Sequence, residues 1–207
     1  MIAIVDYGVG NLFSLRSSLA MLGEPAVVTG EAHELERAEK IILPGVGAFE
    51  DAAKKLRKTG LDRVVVEQAK AGKPLLGICL GMQMLFERSF EYGEHEGLGL
   101  LSGDVVDMRP IVPKKLKVPH IGWNALIFQR PEHPLFRYIR NGDFVYFVHS
   151  FYAANCAEAT LATTEYGAEL TAAVGSGNVL GCQFHPEKSG RAGLGILRAF
   201  CEWERNV

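Results

Sequence analysis

Lys73-Pro74-Leu75-Leu76-Gly77-Ile78-Cys79-Leu80-Gly81-Met82-Gln83 is an apolar run that breaks into a small-residue turn carrying one sulfur. It reads as a strand, a tight turn and the start of a helix. Gly77 and Gly81 flank Cys79 in the G-x-nucleophile-x-G spacing, in which glycines let the backbone turn sharply and the nucleophile points off the sheet edge into solvent. A helix beginning just after the sulfur sets unpaired backbone N–H groups and the positive dipole end beside it, which activates it as a nucleophile. A free cysteine without such surroundings is more often buried and inert.

Working outward toward the N-terminus, Ile2 to Val5 reads as a short buried strand. Asp6-Tyr7-Gly8-Val9-Gly10-Asn11 follows as a glycine-rich turn, with Asn11 as N-cap of a helix whose apolar residues Leu12, Leu15, Leu19 and Leu22 share a face. Phe13 stands where a dinucleotide fingerprint would need its third glycine, so no nucleotide site is expected there. Ala26 to Val28 and Lys40 to Leu43 are further strands. The second ends in Pro44-Gly45-Val46-Gly47, whose glycines leave backbone N–H groups free to face a ligand. Helical patterns over Ala48 to Leu56 and Leu61 to Ala71 complete an order β-α-β-β-α-α-β-α. That order predicts an α/β fold with a mostly parallel sheet covered by helices and the nucleophile at the carboxyl edge of a central strand.

Beyond the elbow the helix is expected to run through Met84-Leu85-Phe86, and Tyr92 to Gly103 reads as a loop. The texture then changes to short strands: Val105 to Met108, Val118 to Trp123, Ala125 to Phe128, Phe144 to Tyr152, Thr160 to Thr164, Leu170 to Val174 and Val179 to Phe184. These are expected to be antiparallel or mixed, and Leu194 to Trp203 closes the fold as a helix. With no repeat, low-complexity tract or linker, residues 1–207 are read as one domain.

Composition excludes several classes. With 48% hydrophobic residues the 207-residue chain is globular, not disordered. A net charge of −2 with interspersed signs leaves no footprint for nucleic acid. Lys114-Lys115-Leu116-Lys117 reads as a solvated loop. Apolar runs are too short to span a membrane and the N-terminus lacks signal-peptide features, so a cytoplasmic protein is expected. Cys79, Cys156, Cys182 and Cys201 are widely spaced, which fits reduced thiols and neither a zinc site nor a disulfide framework.

An attacking thiolate needs a base and a group that orients the base. In Gln183-Phe184-His185-Pro186-Glu187-Lys188-Ser189, His185 and Glu187 lie two apart, which on an extended segment points them the same way. Glu187 can then fix the tautomer of His185. His120 and His149 have no such partner in sequence and read as structural.

These motifs, taken together, resemble the class I (triad) glutamine amidotransferases. Asp6 to Asn11, Pro44 to Phe49, Pro119 to Asn124 and Tyr146 to Ser150 are similar to the glutaminase branch that serves imidazole glycerol phosphate synthesis in histidine biosynthesis. The resemblance covers essentially the whole chain and implies a flavodoxin-like fold. It implies a Cys79, His185, Glu187 triad that hydrolyses glutamine through a thioester without metal or organic cofactor. Leu80, Val46 and Gly47 would bind the oxyanion, the latter two in a loop that reorients. Gln83, Glu91, His149, Ser150 and Phe151 would hold the substrate, with Glu91 toward its ammonium. Phe151 departs from the tyrosine usual there. The resemblance further implies a heterodimer with a (β/α)8-barrel cyclase, docked through Asn11, Trp123, Tyr146 and Lys188, that receives the ammonia. The chain ends shortly after Glu187, so the ammonia acceptor is expected on another chain. The competing readings are a different cysteine hydrolase and a silent binding subunit.

Overall fold

The structure, a computed structural model, describes residues 1–203. Its centre is an eight-stranded sheet in the order β2-β1-β3-β4-β14-β13-β12-β9. Five of these strands run parallel: β2 (Ala26–Thr29), β1 (Ile2–Val5), β3 (Lys40–Gly45), β4 (Leu75–Cys79) and β14 (Val179–Cys182). From β14 the sheet continues antiparallel through β13 (Glu169–Ser176), β12 (Thr160–Glu165) and β9 (Ile127–Phe128).

Strand periodicity of two explains why these short runs are apolar throughout. Ala3, Val5, Ile41 and Leu43 face one cluster with Leu56, Leu61 and Val65 of α3 (Phe49–Lys58) and α4 (Leu61–Lys70). Ile2, Ile4 and Ile42 face another with Leu15 and Leu19 of α1 (Leu12–Met21) and Ile196 and Phe200 of α6 (Gly190–Cys201). Both faces of a parallel sheet are thus covered, and each fully buried Leu, Ile or Phe contributes about 1.5–3 kcal/mol.

Two smaller sheets complete the molecule. One has the order β11-β7-β5-β6, from Phe151–Ala154, Leu101–Asp107, Phe86–Ser89 and His95–Glu96. The other pairs β8 (His120–Ala125) with β10 (Phe144–His149) in antiparallel register, setting Trp123 against Tyr146 and His120 against His149.

Several expectations need correction. A helix absent from the sequence reading, α2 (Ala32–Arg37), crosses between β2 and β3; six residues with only Leu35 buried carry no readable period. The helix after the elbow, α5 (Leu80–Met84), stops before Phe86, which opens a strand. The carbonyls of Met84, Leu85 and Phe86 accept from Leu98, Leu100 and Gly99 at 2.8–3.1 Å, so the chain from 98 to 101 replaces the next helical turn. The strand expected from Phe144 to Tyr152 breaks at Ser150 and changes sheets, and strands also enter the segment read as a loop from 92 to 103. Asn11 precedes α1, yet its side chain makes no capping bond.

Candidate active site

Cys79 ends β4 with φ 55° and ψ −112°, so the nucleophile itself takes the left-handed strain of the turn. The glycines act differently from the expectation, by letting backbone approach backbone. A Cβ on Gly81 would lie 1.8 Å from the Leu43 carbonyl oxygen, and one on Gly77 would lie 2.7 Å from that of Gly81. The sulfur does not stand out in solvent, because Cys79 is only 7% exposed. It faces a cavity of about 280 Å³, also lined by Leu80, His185, Val46 and Gly47. Gln83, Glu91, His149, Ser150 and Phe151 line the same cavity, so every predicted chemical residue but Glu187 is brought to one place. The volume sits at the small end of ligand pockets, which run from roughly 300 Å³, and suits a molecule of amino-acid size.

His185 lies just past β14, and its backbone is clamped by neighbours: its N–H donates to Tyr146 O at 2.9 Å and its carbonyl accepts from Ser189 Oγ at 2.6 Å. The extended backbone expected over residues 185–187 stops at His185, with φ −96° and ψ 98°. Pro186 instead starts a 3₁₀ turn, Pro186–Lys188, and this turn carries Glu187 round to the imidazole. Glu187 Oε1 lies 2.9 Å from His185 Nδ1, and both side chains are 3% exposed. Burial opposes charge on His185, but interaction with the Cys79 sulfur and with Glu187 outweighs it and raises the pKa to about 9. An imidazolium therefore sits beside the sulfur at neutral pH. His185 Nε2 is buried without a hydrogen-bond partner among the described residues, as is Glu187 Oε2. Asn11 Nδ2 lies 3.5 Å from Glu187 Oε1, which is where the residue read as a helix cap directs its amide.

Opposite the sulfur, Pro44 and Gly45 belong to β3 and pair with Ile78 and Cys79, which leaves a shorter free segment than expected. The Tyr7 hydroxyl donates to the Pro44 carbonyl at 2.7 Å, an anchor that sequence reading missed. Val46 is exposed, and Gly47 adopts φ +95°.

Gln83, 5% exposed, donates from Nε2 to Phe151 O and to Gln183 Oε1, both at 3.0 Å. Gln183 Nε2 in turn lies 3.7 Å from Cys79 Sγ. Gln183 is thus a member of the site that sequence reading missed, because its partners Cys79 and Gln83 lie about a hundred residues away in the chain. Glu91 Oε2 accepts from the Phe49 N–H at 2.6 Å at the start of α3. Burial raises the pKa of Glu91, while that bond and His95 work the other way.

Three of the four residues expected to dock a partner, Trp123, Tyr146 and Lys188, are in contact. Trp123 packs edge-on against Tyr146 at 6.1 Å, and Lys188 Nζ lies 5.8 Å over the Tyr146 ring. Ile121, Trp123 and Phe144 expose 59%, 53% and 58% of their surface, an apolar face on the β8–β10 ribbon. All four cysteines are reduced and buried. Burial pushes up the thiols of Cys182 and, to about 12, Cys201. Contact with the cavity, not exposure, thus separates Cys79 from the others. Among the described residues no helix is long and apolar enough to cross a membrane.

The family described as glutamine amidotransferase class-I matches residues 3–202 of this chain. The imidazole glycerol phosphate synthase subunit HisH of Caldanaerobacter subterraneus subsp. tengcongensis is 50% identical over 203 residues, 98% of each chain. The subunit of the same name from Oceanobacillus iheyensis is 48% identical over 206 residues, 99% of this chain and 100% of that one. A crystal structure of a glutamine amidotransferase superposes with a TM-score of 0.76 over 98% of both chains at 22% identity, a likeness of fold.

Proposed function

The chain belongs to the glutamine amidotransferase class-I family, and from that premise we propose that it is the glutamine-hydrolysing subunit of an imidazole glycerol phosphate synthase. The observation that carries the reading is the shared cavity of Cys79 and His185, with His185 held charged by the Cys79 sulfur and by Glu187 at 2.9 Å.

Cys79 Sγ attacks the side-chain carbonyl carbon of glutamine, and its electron pair pushes the carbonyl electrons onto oxygen. The Leu80 N–H and an N–H of the Val46–Gly47 segment stabilise that oxyanion. His185 gives its Nε2 proton to the leaving nitrogen, the C–N bond breaks, and ammonia departs from a glutamyl thioester. A water then attacks the thioester while His185, now neutral, takes its proton. Glutamate leaves and the sulfur recovers its electrons. Glu187 keeps Nδ1–H paired throughout, so that the proton which moves is always the one on Nε2. Gln83, Glu91 and the His149–Phe151 segment hold the glutamine, Glu91 by its charge toward the substrate ammonium.

Ammonia released into bulk water would be protonated and lost, so it passes directly to a second subunit. We assign that partner to a (β/α)8-barrel cyclase in the cytoplasm, seated on Asn11, Trp123, Tyr146 and Lys188 and using the ammonia in histidine biosynthesis. The exposed apolar face of the ribbon and the subunit names of the 48–50% identical relatives support this assignment. The test is glutamate release from glutamine by the chain alone, with the cyclase, and with the cyclase plus its nucleotide substrate. Weak activity alone and strong activity in the full mixture are expected. Full turnover by the isolated chain would overturn the coupled reading in favour of a free hydrolase.

A further inference from the structure

His120 is 2% exposed, does not line the cavity and takes no part in the steps above. Its ring stacks on Tyr166 at 4.0 Å and on Phe147 at 4.9 Å, and it heads a chain of polar contacts that ends at the cavity wall. His120 Nδ1 lies 3.1 Å from His149 Nε2, and His149 Nδ1 lies 2.9 Å from the Phe151 carbonyl oxygen. At the other end Asn124 Nδ2 lies 3.5 Å from His120 Nε2.

The direction of every bond in this chain is forced. A carbonyl oxygen can only accept, so His149 carries its proton on Nδ1. A neutral His149 then offers Nε2 as an acceptor, and His120 must donate from its own Nδ1. The Asn124 amide is oriented by two backbone bonds, Nδ2 to Glu165 O at 2.7 Å and Oδ1 from Ala125 N at 2.8 Å, so it presents a donor to His120 Nε2. Burial pushes both imidazoles down to about 4, which keeps each of them neutral as the chain requires. The Phe151 carbonyl at the end also accepts from Gln83, so two buried donors fix one peptide of the wall.

We propose that His120 is a positioning residue, which acts through His149 to hold the Phe151 peptide and with it the wall of the glutamine cavity. This rests on the glutaminase reading above. The Ser150–Phe151 segment spans the break between β10 and β11: the Ser150 carbonyl accepts from the Met108 N–H at 3.1 Å and Phe151 lies in register with Asp107 of β7, while the Phe151 carbonyl is held by the side chains of His149 and Gln83. His120 also begins the strand whose other face carries Ile121 and Trp123, so one ribbon bears the exposed apolar face on one side and this chain on the other.

The test compares His120→Phe, which keeps a stacking ring and loses the donor, with His120→Asn, whose amide N–H falls near the place of Nδ1–H. In the complex with cyclase and its nucleotide substrate, His120→Phe is expected to raise KM for glutamine about tenfold with kcat within about threefold, because a misplaced wall weakens ground and transition state alike. His120→Asn should bring KM back to within about threefold of the parent. An unchanged KM in His120→Phe, or an equal defect in both variants, would overturn the proposal. Long-range ¹H–¹⁵N spectra of the unsubstituted chain provide an independent reading: both imidazoles should be Nδ1–H tautomers, and an Nε2–H tautomer at either one sinks the chain of bonds. Should the parent complex release no glutamate, the functional reading falls while the tautomer spectrum still decides this one.

Discussion

His185 and His149 line the same cavity and are 2% and 5% exposed, yet at neutral pH the first is charged and the second is not. Burial pushes both imidazoles toward neutrality. At His185 the sulfur of Cys79 and a carboxylate on Nδ1 reverse that push, and the pKa rises to about 9. At His149 the Nδ1 partner is a carbonyl, which carries no net charge, and the Nε2 partner is another imidazole, so burial wins and the pKa falls to about 4. Depth alone therefore does not decide what a buried histidine does; the charge of the groups that face its two nitrogens does.

The largest way to break this contrast is Cys79→Ala. It removes the nucleophile and one of the two supports of the His185 charge. Glutamate release by the complex should fall at least about 10⁴-fold, while synthesis from added ammonia persists. A steady-state assay with each nitrogen source checks it, and retained glutaminase activity would refute the role of Cys79. Glu187→Gln removes the other support and leaves nucleophile and imidazole in place. A loss of about 10²–10³-fold is expected, less than for His185→Ala, together with a drop of the His185 pKa below 9 in an NMR titration.

Stability should respond to the same contrast in opposite pH windows. His149 and His120 are depressed in the fold, so the unfolded chain binds protons first as pH falls below about 6.5, and stability drops by on the order of 2 kcal/mol for each of them by pH 5. His185 is raised, so its contribution is intact below about 6.5 and is lost as pH rises through about 9. Denaturant titrations at pH 5, 7 and 9 test both arms, and His120→Phe should reduce the acid arm by about half, leaving the share of His149, without changing the alkaline arm. The smallest effect on the isolated chain belongs to Trp123→Ala. Its side chain is half exposed, so stability should stay within about 0.5 kcal/mol while affinity for the cyclase falls about tenfold, measured by titration calorimetry.

What the sequence revealed follows the reach of its signals. The elbow, the parallel half and the His185–Glu187 pair each depend on residues a few positions apart, and the chain displays them openly. Even so, the local geometry differed: Cys79 and not its glycines takes the positive φ, and a 3₁₀ turn and not an extended segment joins His185 to Glu187. The contacts that sequence reading missed join distant positions. Tyr7 and Pro44 are 37 residues apart, His120 and His149 are 29 apart, and Gln83 and Gln183 are 100 apart. Only the register of β8 on β10 makes partners of two histidines that look idle in the sequence. The end of α5 was missed for a different reason, because all five of its residues are buried and such a segment shows no amphipathic period.

Gly47 carries a further consequence, one of handedness. At φ +95° it occupies backbone space that is the mirror image of ordinary L-residue space, and a Cβ added in the L configuration would meet nothing within 4 Å. Chirality and not crowding is therefore what excludes L-alanine there. Its enantiomer has no such quarrel with the backbone: a semisynthetic chain with D-alanine at 47 would favour this conformation by about 0.4–1 kcal/mol through the unfolded state, and L-alanine would favour leaving it. The pair of diastereomers would thus bias the same peptide in opposite directions. Glutamine turnover in the two would report which hand of the segment beside Cys79 is the working one.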